Sequence, residues 1–445
     1  MTPDHRYAPH LRANSLSQDL AIARVLGADA PQNNRQHYRK LLGFTPADPA
    51  RLRHRLERSA ASSKGLVVSV SHDHYLTEMG GLQNCVGLEQ EAFAARGWSY
   101  LHLCPYLPLP TLADDQPGTM QQVVVTLDGE TEGIIGLRDL SDMLALMPGQ
   151  AERRMVIIHQ MLGQSPEQLQ HLVRSMGQPR AYFWIHDLFA HCSSIHLLRN
   201  DVVFCHGPPV GSSACAICNA GPERPSHVAR MRAFFERLNP TLLAPSQTIL
   251  DEWRRLNDFR HAEAMVLPPC RFEPGAPVTV SHEKLRVGFL GWAAFHKGWD
   301  CFASLALWFH DDPRYQFYQL ADNPEVLPGV VYHPVKVTPD DRDAMVRAVA
   351  ECELDVVINW SRCYESFSFT TMEALAGGAF LVAREGAGNV FPLVQSIDEA
   401  RGIAVGSPTE LQALFLSGDV IDLAREAPRR YGFIAMGAGA AELAG

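Results

Sequence analysis

The 445-residue sequence has no run of about 18 apolar residues and no charged-then-apolar segment at its start. We therefore expect neither a membrane-spanning helix nor export, and we expect a cytoplasmic protein. Ten cysteines in such a chain favour reduced thiols or metal ligands over a disulfide scaffold. No repeat of 20–50 residues is visible, which excludes solenoids and propellers. G-x-G-x-x-G follows none of the apolar runs, which argues against a dinucleotide dehydrogenase.

Positive charge is scarce outside the N-terminal region. The net charge is −10, yet residues 1–64 contain eleven Lys and Arg against five Asp and Glu. An acidic body argues against nucleic-acid binding, which needs basic residues to neutralise phosphates. We predict that residues 1–64 form a basic, mainly helical extension exposed to solvent. The alternative is contact with anionic lipid at the inner face of the membrane, or with a partner protein.

From residue 65 onward, short apolar runs alternate with helical patterns, which is typical of buried parallel strands in a doubly wound sheet. The alternation stops at the turn-rich stretch 268–284 and then restarts. We therefore predict an α/β protein with two Rossmann-like domains, 65–267 and 268–445, that face a cleft. The predicted strands are 66–71, 99–104, 123–127, 155–159, 181–186 and 241–246 in the first domain, and 285–292, 316–321, 330–335, 355–360 and 379–384 in the second.

The densest group of polar residues and glycines is DVVINWSRCYESFSFTTMEALAGGAFLVAREGAGN, residues 355–389. We predict that a buried strand ends at Trp360, that a loop carries Glu365, and that a helix with Glu373 in its first turn begins around Thr370. A helix N-terminus suits a diphosphate, and a carboxylate beside it can accept both hydroxyls of a ribose. The alternative for Glu373 is structural, because Thr370-x-x-Glu373 also has the spacing of a capping box.

The segment ESFSFTTMEALAGG, residues 365–378, resembles the E-x7-E segment of retaining GT-B glycosyltransferases of family 4. The resemblance implies that Glu365 contacts the donor sugar and that Glu373 holds the nucleotide ribose. The residues Ser366, Phe367 and Ser368 would then lie against the donor. It also implies a front-face reaction in which the leaving phosphate takes the acceptor proton.

A second segment, FLGWAAFHKGWD, is similar to the family's phosphate-binding segment, which carries an Arg and a Lys after the first strand of the C-terminal domain. Lys297 stands at the Lys position, whereas Trp292 replaces the Arg. Arg362 or His296 could supply the missing contact to the donor phosphates. The alternative for Lys297 is a solvated loop residue.

In the N-terminal domain, Gly80 and Gly81 precede a predicted helix and would let backbone N–H groups approach an anion or a sugar. The family has a similar glycine loop there. His186 and Asp187 follow a predicted strand, where the family has a histidine near the donor sugar. His186 would bind a sugar hydroxyl or stabilise developing charge, with Asp187 orienting it. A tight glycine turn and a structural histidine are the alternatives.

Asp341-Arg342-Asp343 matches the D-x-D pattern of metal-dependent transferases, but Thr338-Pro339 before it predicts a helix start. We therefore predict no catalytic divalent metal. Four other residues, Cys192, Cys205, Cys215 and Cys218, have the spacing C-x12-C-x9-C-x2-C, which is typical of a structural zinc site. Possible replacement ligands are His191 and His206, and the alternatives are an iron–sulfur cluster or unligated thiols.

Together these segments predict a glycosyltransferase that moves a sugar from a nucleotide-sugar donor to a glycan, a lipid-linked acceptor or another acceptor. Two alternatives remain open. One is a sugar-nucleotide epimerase or hydrolase on the same fold, which would need no acceptor. The other is a non-catalytic nucleotide-sugar-binding assembly partner, which the missing phosphate-binding Arg suggests.

Overall fold

The computed structural model describes residues 43–444, apart from Met79, Pro108, 115–119, 148–152, Ser281 and Pro324. Most of the predicted basic extension, residues 1–42, lies outside the described residues. The chain forms two compact units. We call residues 43–195, 205–269 and 438–444 the N-terminal unit, and residues 196–204 and 270–437 the C-terminal unit.

Each of the eleven predicted strands is present with shifted ends, and the described residues form seven further strands that the sequence did not indicate. The strands are β1 Leu66–Val70, β2 Ser99–Pro105, β3 Gln122–Leu127, β4 Glu130–Gly136, β5 Arg154–Ile158, β6 Arg180–Trp184, β7 Leu198–Arg199, β8 Val203–Phe204, β9 Thr241–Ala244, β10 Ala264–Val266, β11 Cys270–Pro277, β12 Leu285–Leu290, β13 Tyr315–Ala321, β14 Val330–Pro334, β15 Val356–Asn359, β16 Phe380–Arg384, β17 Gly402–Val405 and β18 Arg430–Met436. The helices are α1 Pro49–Ser62, α2 Gly81–Ala95, α3 Leu137–Leu146, α4 Pro166–Ser175, α5 Ser213–Ala216, α6 Arg224–Leu238, α7 Gln247–Leu256, α8 Trp299–Trp308, α9 Ala344–Glu351, α10 Phe369–Ala376, α11 Phe391–Asp398, α12 Pro408–Ser417 and α13 Asp419–Glu426.

The N-terminal unit is built on an eight-stranded sheet with the order β10-β9-β6-β5-β1-β2-β3-β4. The strands from β10 to β2 run parallel. β3 departs from the prediction of a wholly parallel sheet, because it pairs antiparallel with β2 and β4. The β3–β4 pairing follows from a tight turn at Asp128-Gly129, where both residues have positive φ and the chain reverses at once instead of crossing over through a helix.

Helix α1 confirms the helical prediction for the described part of the N-terminal segment. Asp48 caps its first turn by accepting hydrogen bonds from two backbone N–H groups, and Pro49 occupies the first helical position. The side chains of Leu52 and Leu56 are buried in the N-terminal unit. Arg55 pairs with two acids of β4, Glu130 and Glu132. This helix is therefore an integral part of that unit and not a solvated extension.

The C-terminal unit has a six-stranded, wholly parallel sheet with the order β14-β13-β12-β15-β16-β17. The chain winds outward from β12 to β14 and then returns to β15 on the other side of β12. The strand order therefore reverses between β12 and β15. In open parallel sheets such a reversal leaves a crevice at the carboxyl ends of the two strands, where ligands bind.

The turn-rich stretch 268–284 contains a strand that the sequence did not indicate. β11 pairs antiparallel with β18 in a two-stranded ribbon, with a register shift between Pro274 and Pro277. A ribbon tolerates these prolines because each strand has an open edge and needs fewer N–H donors. After β18 the chain returns to the N-terminal unit, where Ala440 and Ala441 are fully buried. Among the described residues, no helix is long and apolar enough to span a bilayer.

Candidate functional site

Two charged side chains meet where the C-terminal sheet reverses its strand order. Lys297 ends the 3₁₀ turn Phe295–Lys297 that follows β12, and Glu365 lies in the loop that follows β15. The distance from Lys297 Nζ to Glu365 Oε1 is 2.7 Å. The predicted phosphate-binding and sugar-binding residues are therefore brought together by two neighbouring parallel strands.

Two glycines allow the backbone contacts that hold this pair. A Cβ atom on Gly298, which has φ +83°, would lie 2.1 Å from the carbonyl oxygen of Trp360. A Cβ atom on Gly388, which has φ +66°, would lie 2.4 Å from the carbonyl oxygen of Glu365. The backbone of Glu365 also forms hydrogen bonds to Ala387 and from the N–H of Asn389. Gly388 therefore permits the close packing of these two loop segments.

The environment of Glu365 keeps its carboxylate ionised. Burial alone would raise its pKa, but the charge and hydrogen bond of Lys297 and a hydrogen bond from Ser361 lower it below its ordinary value. The Ser361 hydroxyl donates to the same oxygen that faces Lys297, over 2.7 Å. Burial opposes the charge of Lys297 as well, yet Glu365 raises the lysine pKa. Both members of the pair are therefore charged at neutral pH.

Glu373 lies in a different environment. Helix α10 begins at Phe369 with Ser368 as its cap, so Glu373 is in the second turn and not in the first, as predicted. Because the cap is Ser368, the capping-box interpretation with Thr370 is wrong. Burial raises the pKa of Glu373 from 4.5 to about 7. The two acids of the E-x7-E segment therefore have opposite shifts, which is a common feature of functional carboxylate pairs.

The residues between the two acids shape the start of α10. Ser368 is buried, and its hydroxyl accepts from the N–H of Thr371 and from the side-chain amide of Asn359. The ring of Phe367 packs edge-on against Phe369 at 5.2 Å, and Ser366 lies half-buried between Glu365 and Phe367. Ser368 thus caps α10. Its hydrogen bond with Asn359 holds the first turn of the helix near the end of β15.

The candidate substitutes for the missing arginine have other partners within the C-terminal unit. Arg362 forms an ion pair with Asp300, and its guanidinium lies 4.4 Å from the ring centroid of Phe295. Burial lowers the pKa of His296 well below its ordinary value, so its ring is neutral. Trp292, which stands at the arginine position, donates its indole N–H to Asp322 over 2.6 Å. The Arg362 guanidinium and the Trp292 indole are thus engaged in other contacts, and the His296 ring carries no positive charge for an anion.

The structure adds two residues that sequence reasoning missed. His196 belongs to the short segment 196–204 of the C-terminal unit, and its ring stacks on His296 with centroids 5.1 Å apart. Its pKa falls to about 4, first through burial and then through the charge of Lys297. Arg384, at the end of β16, donates to the carbonyl oxygen of Ser361 over 2.7 Å. No local sequence pattern marks His196. Arg384 does have a signal in the sequence, because it is a charged residue at the end of an apolar strand.

The predicted glycine loop of the N-terminal unit lies at the start of α2. The helix begins at Gly81, and no side chain of the described residues caps its first turn. The φ of Gly80 is 172°, which any residue adopts, so its conformation does not require glycine. A Cβ atom on Gly80 would instead meet the side-chain oxygen of Gln83 at 2.4 Å. The side-chain amide of Gln83 donates to Asp73, which lies beyond the end of β1.

His186 follows β6, and its ring is held by a second histidine that follows the neighbouring parallel strand β5. His186 Nε2 and His159 Nδ1 are 3.1 Å apart, and the two rings are stacked. Asp187 accepts hydrogen bonds from Gln160 and from the N–H of Phe189. Burial raises the pKa of Asp187 to about 6. A contact that orients His186 thus comes from His159, which no sequence motif marks.

The four predicted zinc ligands all belong to the N-terminal unit, where burial and the nearby Cys205 and Cys218 raise the pKa of Cys192. Among the described residues, no three His, Cys, Asp or Glu side chains come together as a metal-binding group. Cys215 instead accepts a hydrogen bond from the buried Arg224 at 3.0 Å, and the same guanidinium donates to His191 over 2.7 Å. These two hydrogen bonds engage one of the four predicted thiol ligands and one of the possible replacement ligands.

Among the other predictions, the helix start at Thr338-Pro339 is wrong. Helix α9 begins only at Ala344, and Thr338 instead accepts from the N–H of Asp341 in a turn that precedes the helix. The Asp341 carboxylate pairs with Arg347 over 2.7 Å. Asp341 is therefore engaged by a helix residue of the same unit.

No protein-family model matches the chain, and no curated protein matches it in sequence. Among solved structures, the chain is similar to sucrose-phosphate synthase from Thermosynechococcus elongatus, with 15% identity and a TM-score of 0.50 over 81% of this chain and 91% of that one. It is also similar to HepE from Anabaena in complex with UDP, with 10% identity and a TM-score of 0.46 over 81% and 93%. The first likeness shows the fold: the chain has the two Rossmann-like domains of GT-B glycosyltransferases, which confirms the predicted fold class.

We expect Gly388→Ala to lower both stability and donor affinity, because the added Cβ displaces the backbone of Glu365. The matched control is Gly386→Ala, since Gly386 has a similar φ of +71° but open space around its Cβ position. Both variants share the left-handed strain of about 1–2 kcal/mol. Thermal unfolding and nucleotide-sugar titrations of the two proteins provide the comparison. Equal effects would show that Glu365 does not depend on this contact.

The raised pKa of Glu373 predicts a specific pH dependence of stability. The unfolded chain releases this proton near pH 4.5 and the folded protein near pH 7, so the folded state loses stability as pH rises between these values. We expect Glu373→Gln to remove this loss, so that the variant gains melting temperature relative to the native protein at pH 8 but not at pH 4.5. A difference between the two proteins that is the same at both pH values would contradict the shift.

Zinc binding remains a prediction from the cysteine spacing, with about one ion expected per chain. Elemental analysis of protein purified without added metal tests it. If zinc is present, a variant in which Ser replaces Cys215 and Cys218 should not retain it. Absence of zinc and iron together with four titratable thiols would leave Arg224 as the group that organises Cys215 and His191.

Proposed function

We propose that this protein transfers a sugar from a nucleotide-sugar donor to an acceptor hydroxyl with retention of anomeric configuration. The observation that carries the proposal is the arrangement at the reversal of the C-terminal sheet. A charged Lys297–Glu365 pair lies there beside the loop that leads to the capped start of α10, and a second acid of raised pKa, Glu373, follows in the same helix. The GT-B fold is consistent with this activity.

Each group has a role that its chemistry permits. Lys297 and the first backbone N–H groups of α10 would bind the donor diphosphate, because both present positive charge to an anion. Glu373, ionised above about pH 7, would accept hydrogen bonds from the two ribose hydroxyls. Glu365 would contact the sugar through the oxygen that faces neither Lys297 nor Ser361.

In the proposed step, the bond between the anomeric carbon and the phosphate oxygen breaks, and a bond from that carbon to the acceptor oxygen forms on the same face. The acceptor proton passes to the departing phosphate oxygen, so no protein base is required. Charge on the leaving diphosphate would be stabilised by Lys297 and the start of α10. His186 of the N-terminal unit is proposed as the residue that binds a sugar hydroxyl. The acceptor is proposed to be a glycan or a lipid-linked hydroxyl.

A thermal-shift screen against UDP-, GDP-, ADP- and dTDP-sugars tests donor binding, because a ligand of the folded state raises the melting temperature. With the donor so identified, we expect Glu373→Ala to weaken binding by about 1–3 kcal/mol through lost charge-assisted hydrogen bonds. The control is Glu426→Ala, which removes an exposed acid from α13 of the same unit. Equal affinity of the native protein and a folded Glu373→Ala variant would refute the ribose assignment.

Binding of the donor without transfer to any acceptor would favour a non-catalytic assembly partner. Turnover of the donor without an acceptor would favour an epimerase or hydrolase.

We expect transfer to continue in EDTA during a short assay, since Lys297 and the start of α10 would neutralise the diphosphate without a metal. The measurement is product formation with and without chelator, followed by addition of Mg²⁺ or Mn²⁺. Activity that is lost in EDTA and returns only with one of these ions would show that the mechanism needs a divalent cation.

A further inference from the structure

The N-terminal unit contains a buried carboxylate that the proposed chemistry does not use. Glu89 lies in the middle of α2 and is only 1% exposed. Its Oε1 atom is 3.1 Å from the hydroxyl of Tyr100 and 3.1 Å from Nε2 of His159. Its Oε2 atom accepts from the indole N–H of Trp184 at 3.3 Å and from the backbone N–H of Ala440 at 2.8 Å. Four groups thus surround this one carboxylate.

Two of these groups fix the direction of the hydrogen bonds. The indole N–H of Trp184 and the backbone N–H of Ala440 can only donate, so Oε2 of Glu89 is an acceptor. An ionised carboxylate also accepts at Oε1, from the hydroxyl of Tyr100 and from His159. Ionised Glu89 therefore satisfies all four groups at once, and it requires a proton on Nε2 of His159.

The tautomer of His159 determines the tautomer of His186. A neutral His159 that is protonated on Nε2 carries a lone pair on Nδ1, so Nδ1 accepts from Nε2 of His186, 3.1 Å away. His186 is then protonated on Nε2 and carries its lone pair on Nδ1. Burial and the neighbouring His159 lower the pKa of His186 well below its ordinary value, which keeps this ring neutral.

The C-terminal end of the chain supports the carboxylate. Gly439 has φ +58°, and a Cβ atom there would lie 2.8 Å from Oε2 of Glu89. Glycine therefore permits the close approach that lets the next residue, Ala440, donate its N–H. Ala440 is fully buried in the N-terminal unit, which it joins after the chain has completed the C-terminal unit.

We propose that Glu89, held in place by the C-terminal segment 438–444, is a positioning residue that sets the tautomer of His159 and, through it, that of His186. His186 then acts as a hydrogen-bond acceptor through Nδ1 at the end of β6. This inference deepens the proposed function, because His186 would accept the proton of a sugar hydroxyl and not donate one.

The test is the tautomeric state of the two rings, measured by ¹⁵N NMR of protein with labelled histidine and without any ligand. Signals that disappear in His159→Gln and His186→Gln identify the rings. In the native protein we expect both to carry the proton on Nε2. In Glu89→Gln the amide oxygen must face Trp184 and Ala440, so the amide NH₂ faces His159 and both rings should change to the Nδ1-protonated form.

Glu91→Gln is the matched control, since it removes an exposed acid from the same helix, and it should leave both rings unchanged. Gly439→Ala should shift the His186 signal. The Gly43→Ala variant should leave this signal unchanged, because Gly43 has a similar φ of +66° but open space around its Cβ position. A native His186 protonated on Nδ1, or a folded Glu89→Gln protein with unchanged tautomers, would overturn the proposal.

Transfer assays provide a separate reading. If His186 accepts from the sugar, Glu89→Gln should lower kcat by about tenfold, since one hydrogen bond reverses its direction, and Glu91→Gln should have no effect. The spectra are recorded without donor, so they test the tautomer proposal whether or not the protein transfers a sugar. A protein without transfer activity would contradict only the proposed function.

Discussion

The arrangement of the C-terminal site depends on the exits of two neighbouring parallel strands lying close enough for a lysine and a glutamate to pair. β12 and β15 are neighbours in the sheet, yet they are separated in sequence by β13, β14 and α9. The loops that follow them can approach because Gly298 and Gly388 have no side chain at the two points of backbone contact. The Lys297–Glu365 pair joins a half-exposed ammonium to a largely buried carboxylate, and the lysine charge offsets the cost of burying that carboxylate.

The two acids of the E-x7-E segment differ because one has a cation beside it and the other does not. Glu365 shares one oxygen with Lys297 and Ser361, and its pKa is lowered. Glu373 is half-buried, and desolvation is the cause that raises its pKa to about 7. A ligand hydroxyl that donates to Glu373 would therefore favour the ionised form, so donor binding and proton release would be coupled.

In the N-terminal unit, buried polar groups form connected hydrogen bonds at the ends of β5 and β6. His159 and His186 lie close together because each follows one of two neighbouring parallel strands. Such a network has only one consistent direction of hydrogen bonding when it ends at a group that can only accept. In the ionised form that we propose, Glu89 is that group, and it also binds the last described turn of the chain.

The sequence by itself determined the alternation of strands and helices, the E-x7-E segment, and Lys297 and His186 at strand ends. These features are local, since apolar periodicity and short motifs are written in consecutive residues. It did not indicate the antiparallel β3, the strand within 268–284, His196 beside Lys297, or Arg224 between Cys215 and His191. Only the tertiary structure decided these contacts, and the partners of Glu365, Glu89 and Asp187, because each joins residues that are distant in the chain. Hydrogen bonds and ion pairs depend on distance in space, and spacing in sequence does not determine that distance.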